Sequence, residues 1–164
     1  MNPTIDYFTG EKSESFLFLV LGLVGLAMCI YIFVSCTFPF WKGFAVPLAL
    51  VSVLEIVVGA TLIYRTPKDV MRVENYIQNE KLKIKTDEIP RMEKVMKNFE
   101  LFRYMEIALI VVGMLVFFVF QKNEFWKGLG LGLLIQSSIV LTLDGFAERR
   151  GSVYLEFLKS IGNG

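Results

Sequence analysis

Phe16 to Val34 is an apolar run without one charged residue, about the length a helix needs to cross the roughly 30 Å hydrocarbon core of a bilayer. Three more such stretches follow. Gly43 to Tyr64 is interrupted only by Ser52, Glu55 and Thr61, Tyr104 to Phe120 carries Glu106 near its start, and Gly128 to Leu143 carries Gln136, Ser137 and Ser138. Inside lipid every backbone N–H and C=O must find a partner within the protein, so runs this long fold as helices. Spans are expected over about 14–36, 42–65, 102–121 and 126–147. The chain is 54% hydrophobic, too apolar for an ordinary soluble domain of 164 residues. It reads as a single all-α integral membrane domain, residues 1–164.

The second and fourth stretches open alike, with Phe40-Trp41-Lys42-Gly43 and Phe125-Trp126-Lys127-Gly128, 85 positions apart. The same offset pairs Ser52 with Ser137, Arg65 with Arg150, and Phe33-Val34 with Phe118-Val119. A duplicated membrane hairpin accounts for this, as a parallel repeat about an axis along the membrane normal, packed as a four-helix bundle. The alternative is convergence of both turns on an interfacial anchor, which an aromatic ring and a lysine supply: Trp41 with Lys42, and Trp126 with Lys127.

Basic residues set the direction. Four spans put the N-terminal segment, the 65–103 connection and the tail on one side, with fourteen Lys or Arg, against Lys42, Lys122 and Lys127 on the other. By the positive-inside rule both termini are expected in the cytoplasm. A cleaved signal peptide fits poorly, because Asp6, Glu11 and Glu14 make the N-terminus acidic and no small-residue site closes the first run.

The cytoplasmic part is expected to be helical. Thr66-Pro67-Lys68-Asp69 reads as a cap, a first-position proline and a first-turn acid, so a new helix should start there and run to about Glu80. Thr86-Asp87 reads as the next cap, with Pro90 tolerable in the first turn of a helix that runs on into the third span. Residues 66–101 thus form a helical hairpin, with stripes Val70, Val73, Ile77 and Ile89, Met92, Met96, Phe99, Phe102. In the tail, 148–164, Val153, Tyr154, Phe157, Leu158 and Ile161 share a face. The stripes can bury against one another as a small cytoplasmic bundle, against a partner, or, for the tail, on the membrane surface.

Missing residue types narrow the function. There is no His, the commonest general base and transition-metal ligand. There is no phosphate loop, no nucleophile pair and no metal-ligand spacing, so no metal, no cofactor and no enzymatic activity are expected. A net charge of +1 argues against nucleic acid as partner. Cys29 and Cys36 are seven residues apart, about 10 Å along a helix, too far for a disulfide.

Glu55 is the sharpest candidate, about 20 Å below the outer face and on one helix side with Ser52 and Gly59. Glu106 and Asp144 lie at similar depth, and Arg65, Arg103, Arg149 and Arg150 close below, with Glu148 among them. Two readings compete. The cluster is a proton- or cation-binding site, or it is a salt-bridge lattice that fixes helix order, for which the arginines suffice. Gly128 and Gly132, in GxxxG spacing and continuing to Gln136, form a close-packing face for another helix of this chain or of a second subunit.

Trp41-Lys42-Gly43 with Pro47, Gly59 through Tyr64-Arg65-Thr66, Arg91-Met92 through Val95, Phe99 to Arg103-Tyr104 with Glu106, and Asp144 through Phe146-Ala147-Glu148-Arg149 with Tyr154 resemble a family of small bacterial inner-membrane proteins with four predicted spans. The resemblance covers the chain from about residue 40 onward and implies the bacterial inner membrane, without a substrate. Three functions are expected to compete: a scaffold or interaction subunit of accessory or immunity type, a homo-oligomeric channel or proton-coupled transporter, and a lipid-acting enzyme. The missing nucleophile motifs count against the third. The expected partners are the lipid bilayer and either a second copy or another membrane protein.

Overall fold

The computed structural model describes residues 3–162, and these are almost entirely helical. α1 spans Pro3–Ser35, α2 Pro39–Asn79, α3 is the single turn Lys81–Lys83, a π-helical turn spans Ile84–Glu88, α4 spans Ile89–Val119 and α5 Glu124–Gly162. Four helices are long and apolar enough to cross a membrane. At about 1.5 Å per residue they outrun the hydrocarbon core by several turns. The surplus lies at one end, here termed the charged end, opposite the loops at Cys36–Phe38 and Phe120–Asn123. Asn123 caps α5, its Oδ1 accepting from the N–H groups of Phe125 and Trp126 at 3.1 and 3.4 Å.

The helix boundaries differ from expectation in three places. α1 begins at Pro3, eleven residues before the expected start, with Asp6 in its first turn. No helix starts at Thr66, because α2 runs unbroken through Pro67. The Thr66 hydroxyl does not cap an N–H; it donates to the Leu62 carbonyl at 2.8 Å and lies 2.9 Å from Glu11 Oε2 on α1. Arg65 spans the proline with a 2.9 Å bridge to Asp69, so side-chain bonds hold the helix where Pro67 removes a backbone donor. Thr86-Asp87 is likewise no cap: both lie in the π-helical turn, and α4 begins at Ile89 with Pro90 in its first turn.

α1 packs on α2, α4 on α5, and α2 on α5, whereas α1 and α4 are not packed on each other. The central crossing of α2 and α5 depends on absent side chains. A Cβ at Gly43 would strike the Phe125 carbonyl, one at Gly128 the Phe40 carbonyl, and one at Gly132 would sit 2.8 Å from the Phe44 carbonyl oxygen. Within the second hairpin Gly113 and Gly130 face each other, each 2.8–2.9 Å from the other's carbonyl oxygen by the same measure.

Two apolar clusters hold the ends. Near the loops, Cys29, Ile32, Ala45 and Leu48 pack together, and both cysteines are free thiols. At the charged end Tyr7 and Phe8 of α1 join Val73, Ile84, Met92, Tyr154 and Leu158. Tyr7 stacks on Tyr154 with ring centroids 4.5 Å apart and planes 12° from parallel. Glu88 is buried beneath them. It pairs with Arg91 at 2.5 Å and Arg72 at 3.6 Å and accepts from the Tyr154 hydroxyl at 3.2 Å. Of the expected tail stripe, Val153 is exposed instead, since α5 turns Tyr154 and Leu158 inward.

Candidate functional site

Because α1 and α4 stand apart, a cleft of about 520 Å³ runs between them, floored by α2 and α5. Tyr7 lines it at the charged end, and Phe18, Val51, Leu109 and Ser137 are its lining residues nearest the loops. Its walls are mostly apolar, with Phe18 from α1, Leu54 and Val58 from α2, and Phe99, Phe102 and Met105 from α4. Into this surface project Glu55, Glu106 and Asp144.

Glu55 and Glu106 are buried to nine-tenths or more. Glu106 Oε2 has no hydrogen-bond partner, and neither has the hydroxyl of buried Ser52, one turn above Glu55. Glu106 of α4 and Asp144 of α5 line the same cleft from two packed helices. None of the three carboxylates forms an ion pair among the described residues.

The arginines form ion pairs between helices, but not with these three carboxylates. Arg65 pairs with Glu11 at 3.4 Å and with Asp69, Arg103 with Glu148 at 3.2 Å, and Arg150 with Glu14. Arg149 is exposed. Arg65 and Arg150 line the cleft themselves, but the partners come from α1, from the next turn of α2 and, for Arg103, from α5. Access separates the two groups: Arg65 and Arg150 stay 47% and 31% exposed where they meet Glu11 and Glu14, so each guanidinium keeps part of its hydration.

The remaining sequence candidates have other places. Gly59 lies against α1, where a Cβ would come 2.7 Å from the Ser15 carbonyl oxygen. Gln136 is buried in α5. Trp41 and Trp126 are half-exposed at the loop end, Trp126 stacking on Phe120 with centroids 5.3 Å apart. Lys127 reaches Glu124 at 4.0 Å and Lys42 is partly exposed. Among the described residues no three acidic or thiol side chains converge to hold a metal ion.

Sequence reasoning missed one wall of the cleft, formed by Tyr7, Glu11, Glu14 and Phe18. Their spacing of four, three and four residues places them on one helix face, which was the available signal. At this mouth burial pushes the Tyr7 hydroxyl up to about 12, with the Glu11 charge adding to it. Burial and then the Glu88 charge raise Tyr154 further.

Fold and site together have the form of an all-helical, multi-pass membrane protein with an acidic lateral cleft. No protein-family model, curated protein or solved structure matches the chain, so its function has to be read from these residues.

Proposed function

We propose that the protein is a non-enzymatic, cation-handling membrane protein, a homo-oligomeric channel or proton-coupled transporter in which Glu55, Glu106 and Asp144 receive the proton or cation. One observation carries the reading: three carboxylates face a membrane-level cleft while every arginine paired nearby is taken by a different acid. A carboxylate held in an apolar setting without a partner is costly, and such groups mark ion and proton pathways. In this reading the protein lies in the bacterial inner membrane with both termini cytoplasmic, as the lysine and arginine bias supports. The charged end is then a cytoplasmic helical bundle around Tyr7, Val73 and Tyr154. A duplicated hairpin is supported by the reciprocal contacts of repeat-equivalent residues, Gly43 on Phe125 and Gly128 on Phe40.

The test is flux in proteoliposomes holding the purified protein. Glu55→Gln is expected to abolish pH-dependent cation or proton movement while the protein stays folded. Flux unchanged by that substitution removes Glu55 from any transport role. The second reading is an accessory or immunity-type interaction subunit, favoured by the uncovered face between α1 and α4, where Phe102, Met105 and Leu109 are exposed. Native mass spectrometry after gentle extraction separates the two: a closed homo-oligomer favours the first, and a stoichiometric complex with a different protein the second.

A further inference from the structure

The reading of the cleft as a cation site can be taken one step further, to the chemical class of the cation. We propose that the cleft binds a lipophilic organic monocation, an aromatic or alkyl ammonium or phosphonium, admitted sideways from the membrane between α1 and α4. The inference rests on the cation-site reading given above.

Size is the first argument. About 520 Å³ falls within the roughly 300–1,000 Å³ range of small-molecule sites. Its lining is confined to the half of the helices nearer the charged end, from Tyr7 to Phe18 on α1 and from Val95 to Leu109 on α4. A partner's transmembrane helix needs a groove of about 20 residues, longer than either stretch.

Chemistry is the second. An inorganic ion such as Na⁺ or Ca²⁺ needs several converging oxygens to replace its hydration shell. Here the acids are spread over three helices among apolar side chains, and no three of them converge among the described residues. A cation that carries its charge on an apolar body has little hydration to lose and can use the walls directly. Phe18, Phe99 and Phe102 offer apolar contact and aromatic faces for cation–π attraction.

Unmet bonding is the third. Buried polar groups nearly always have partners, and each that lacks one costs about 1–3 kcal/mol. Glu106 Oε2 lacks one, and Glu55, buried in the same cleft, has no cation in reach among the described residues. The charges facing the cleft leave this deficit standing. Glu11 and Glu14 on α1 are matched by Arg65 and Arg150, so the surplus over Glu55, Glu106 and Asp144 is negative. An anionic lipid headgroup fits such a floor poorly, and a cation fits it well.

The experiment uses full-length protein in mild detergent with tetraphenylphosphonium as probe, measured by equilibrium dialysis, and triphenylphosphine as a neutral aromatic control. The expected result is saturable binding of one probe per chain, weakened at least tenfold by Glu106→Gln and by Glu55→Gln, and unaffected by Glu124→Gln at the loop end. The probe should also raise the melting temperature of the unaltered protein with dose, which needs no variant to fold. The inference is overturned by non-saturable uptake equal in all forms, by equal binding of the neutral control, or by a lipid molecule retained stoichiometrically in the cleft and not displaced by the probe. The two proposals fail separately. Glu55-dependent proton or inorganic-cation flux without probe binding overturns the organic-cation inference alone. Loss of both flux and binding overturns the cation-site reading beneath it.

Discussion

Gly43 of α2 lies against the carbonyl of Phe125, and Gly128 of α5 lies against the carbonyl of Phe40. Each glycine thus meets the first residue of the other's Phe-Trp-Lys-Gly segment, so these two contacts are reciprocal. No side chain fits at either position. Gly43→Ala and Gly128→Ala should each destabilise the protein by about 1–3 kcal/mol through overpacking, and by similar amounts. Gly145→Ala is the control, because nothing lies within 4 Å of its Cβ position. That change should be neutral or stabilise by up to about 1 kcal/mol through helix propensity. Melting temperatures in one detergent decide it, and a drop confined to one glycine would contradict the reciprocal geometry.

Glu88 is the most heavily used acid at the charged end. It is 1% exposed and holds Arg91, Arg72 and the Tyr154 hydroxyl at once. Glu88→Gln takes the counter-charge from Arg91, while the partly exposed Arg72 keeps its 2.9 Å bridge to Asp69, and should cost about 2–3 kcal/mol. Tyr154→Phe removes only one hydrogen bond to that group and should cost about 1 kcal/mol. Chemical denaturation of the two variants should rank them in that order; equal losses would mean that the charge on Glu88 is not what the network uses.

How much of this was legible in sequence depends on the range of the information. The spans were readable because an apolar run such as Phe16 to Val34 has one outcome in a bilayer, whatever its neighbours. Pro67 misled because a local rule, cap then proline, competes with long-range support that no window contains: Glu11, fifty-five residues away, reaches Thr66. The first eleven residues of α1 were passed over for a related reason. Glu11 and Glu14 interrupt the apolar stripe on the face that is buried, and they belong there only because Arg65 and Arg150 come to meet them. The acids Glu55, Glu106 and Asp144 could be found from their positions alone. That the nearby arginines would pair with other acids could not, since partner choice among near neighbours is settled by packing.

Tyr7 supplies a pH signature. Its hydroxyl is pushed up to about 12 by burial against Tyr154 and by the Glu11 charge, against an ordinary value near 10. The folded state therefore holds this proton more tightly than the unfolded state. The stabilisation is fully present below pH 10 and is lost as pH rises through 12, amounting to on the order of 2 kcal/mol. Thermal melts between pH 9 and 12 should show this decline, and Tyr7→Phe should flatten part of it. Tyr154 is raised as well and will keep the remaining slope. An unchanged pH profile in the Tyr7 variant would mean that this hydroxyl is hydrated in the folded protein.

Glu55 offers the sharpest contrast with Glu88, since the two are buried acids with opposite surroundings. Glu88 has two guanidinium groups and a hydroxyl, whereas Glu55 has an apolar cleft and no cation. Removing an acid that holds a structure together weakens it, and removing one held ready for a ligand relieves a cost. Glu55→Leu, close in size and without polar atoms, should stabilise the empty protein by about 1–3 kcal/mol. The same change should abolish both flux and the stabilisation by tetraphenylphosphonium. A melting temperature lowered as far as that of Glu88→Gln would instead make Glu55 part of the scaffold and would remove the cleft's claim to be a site.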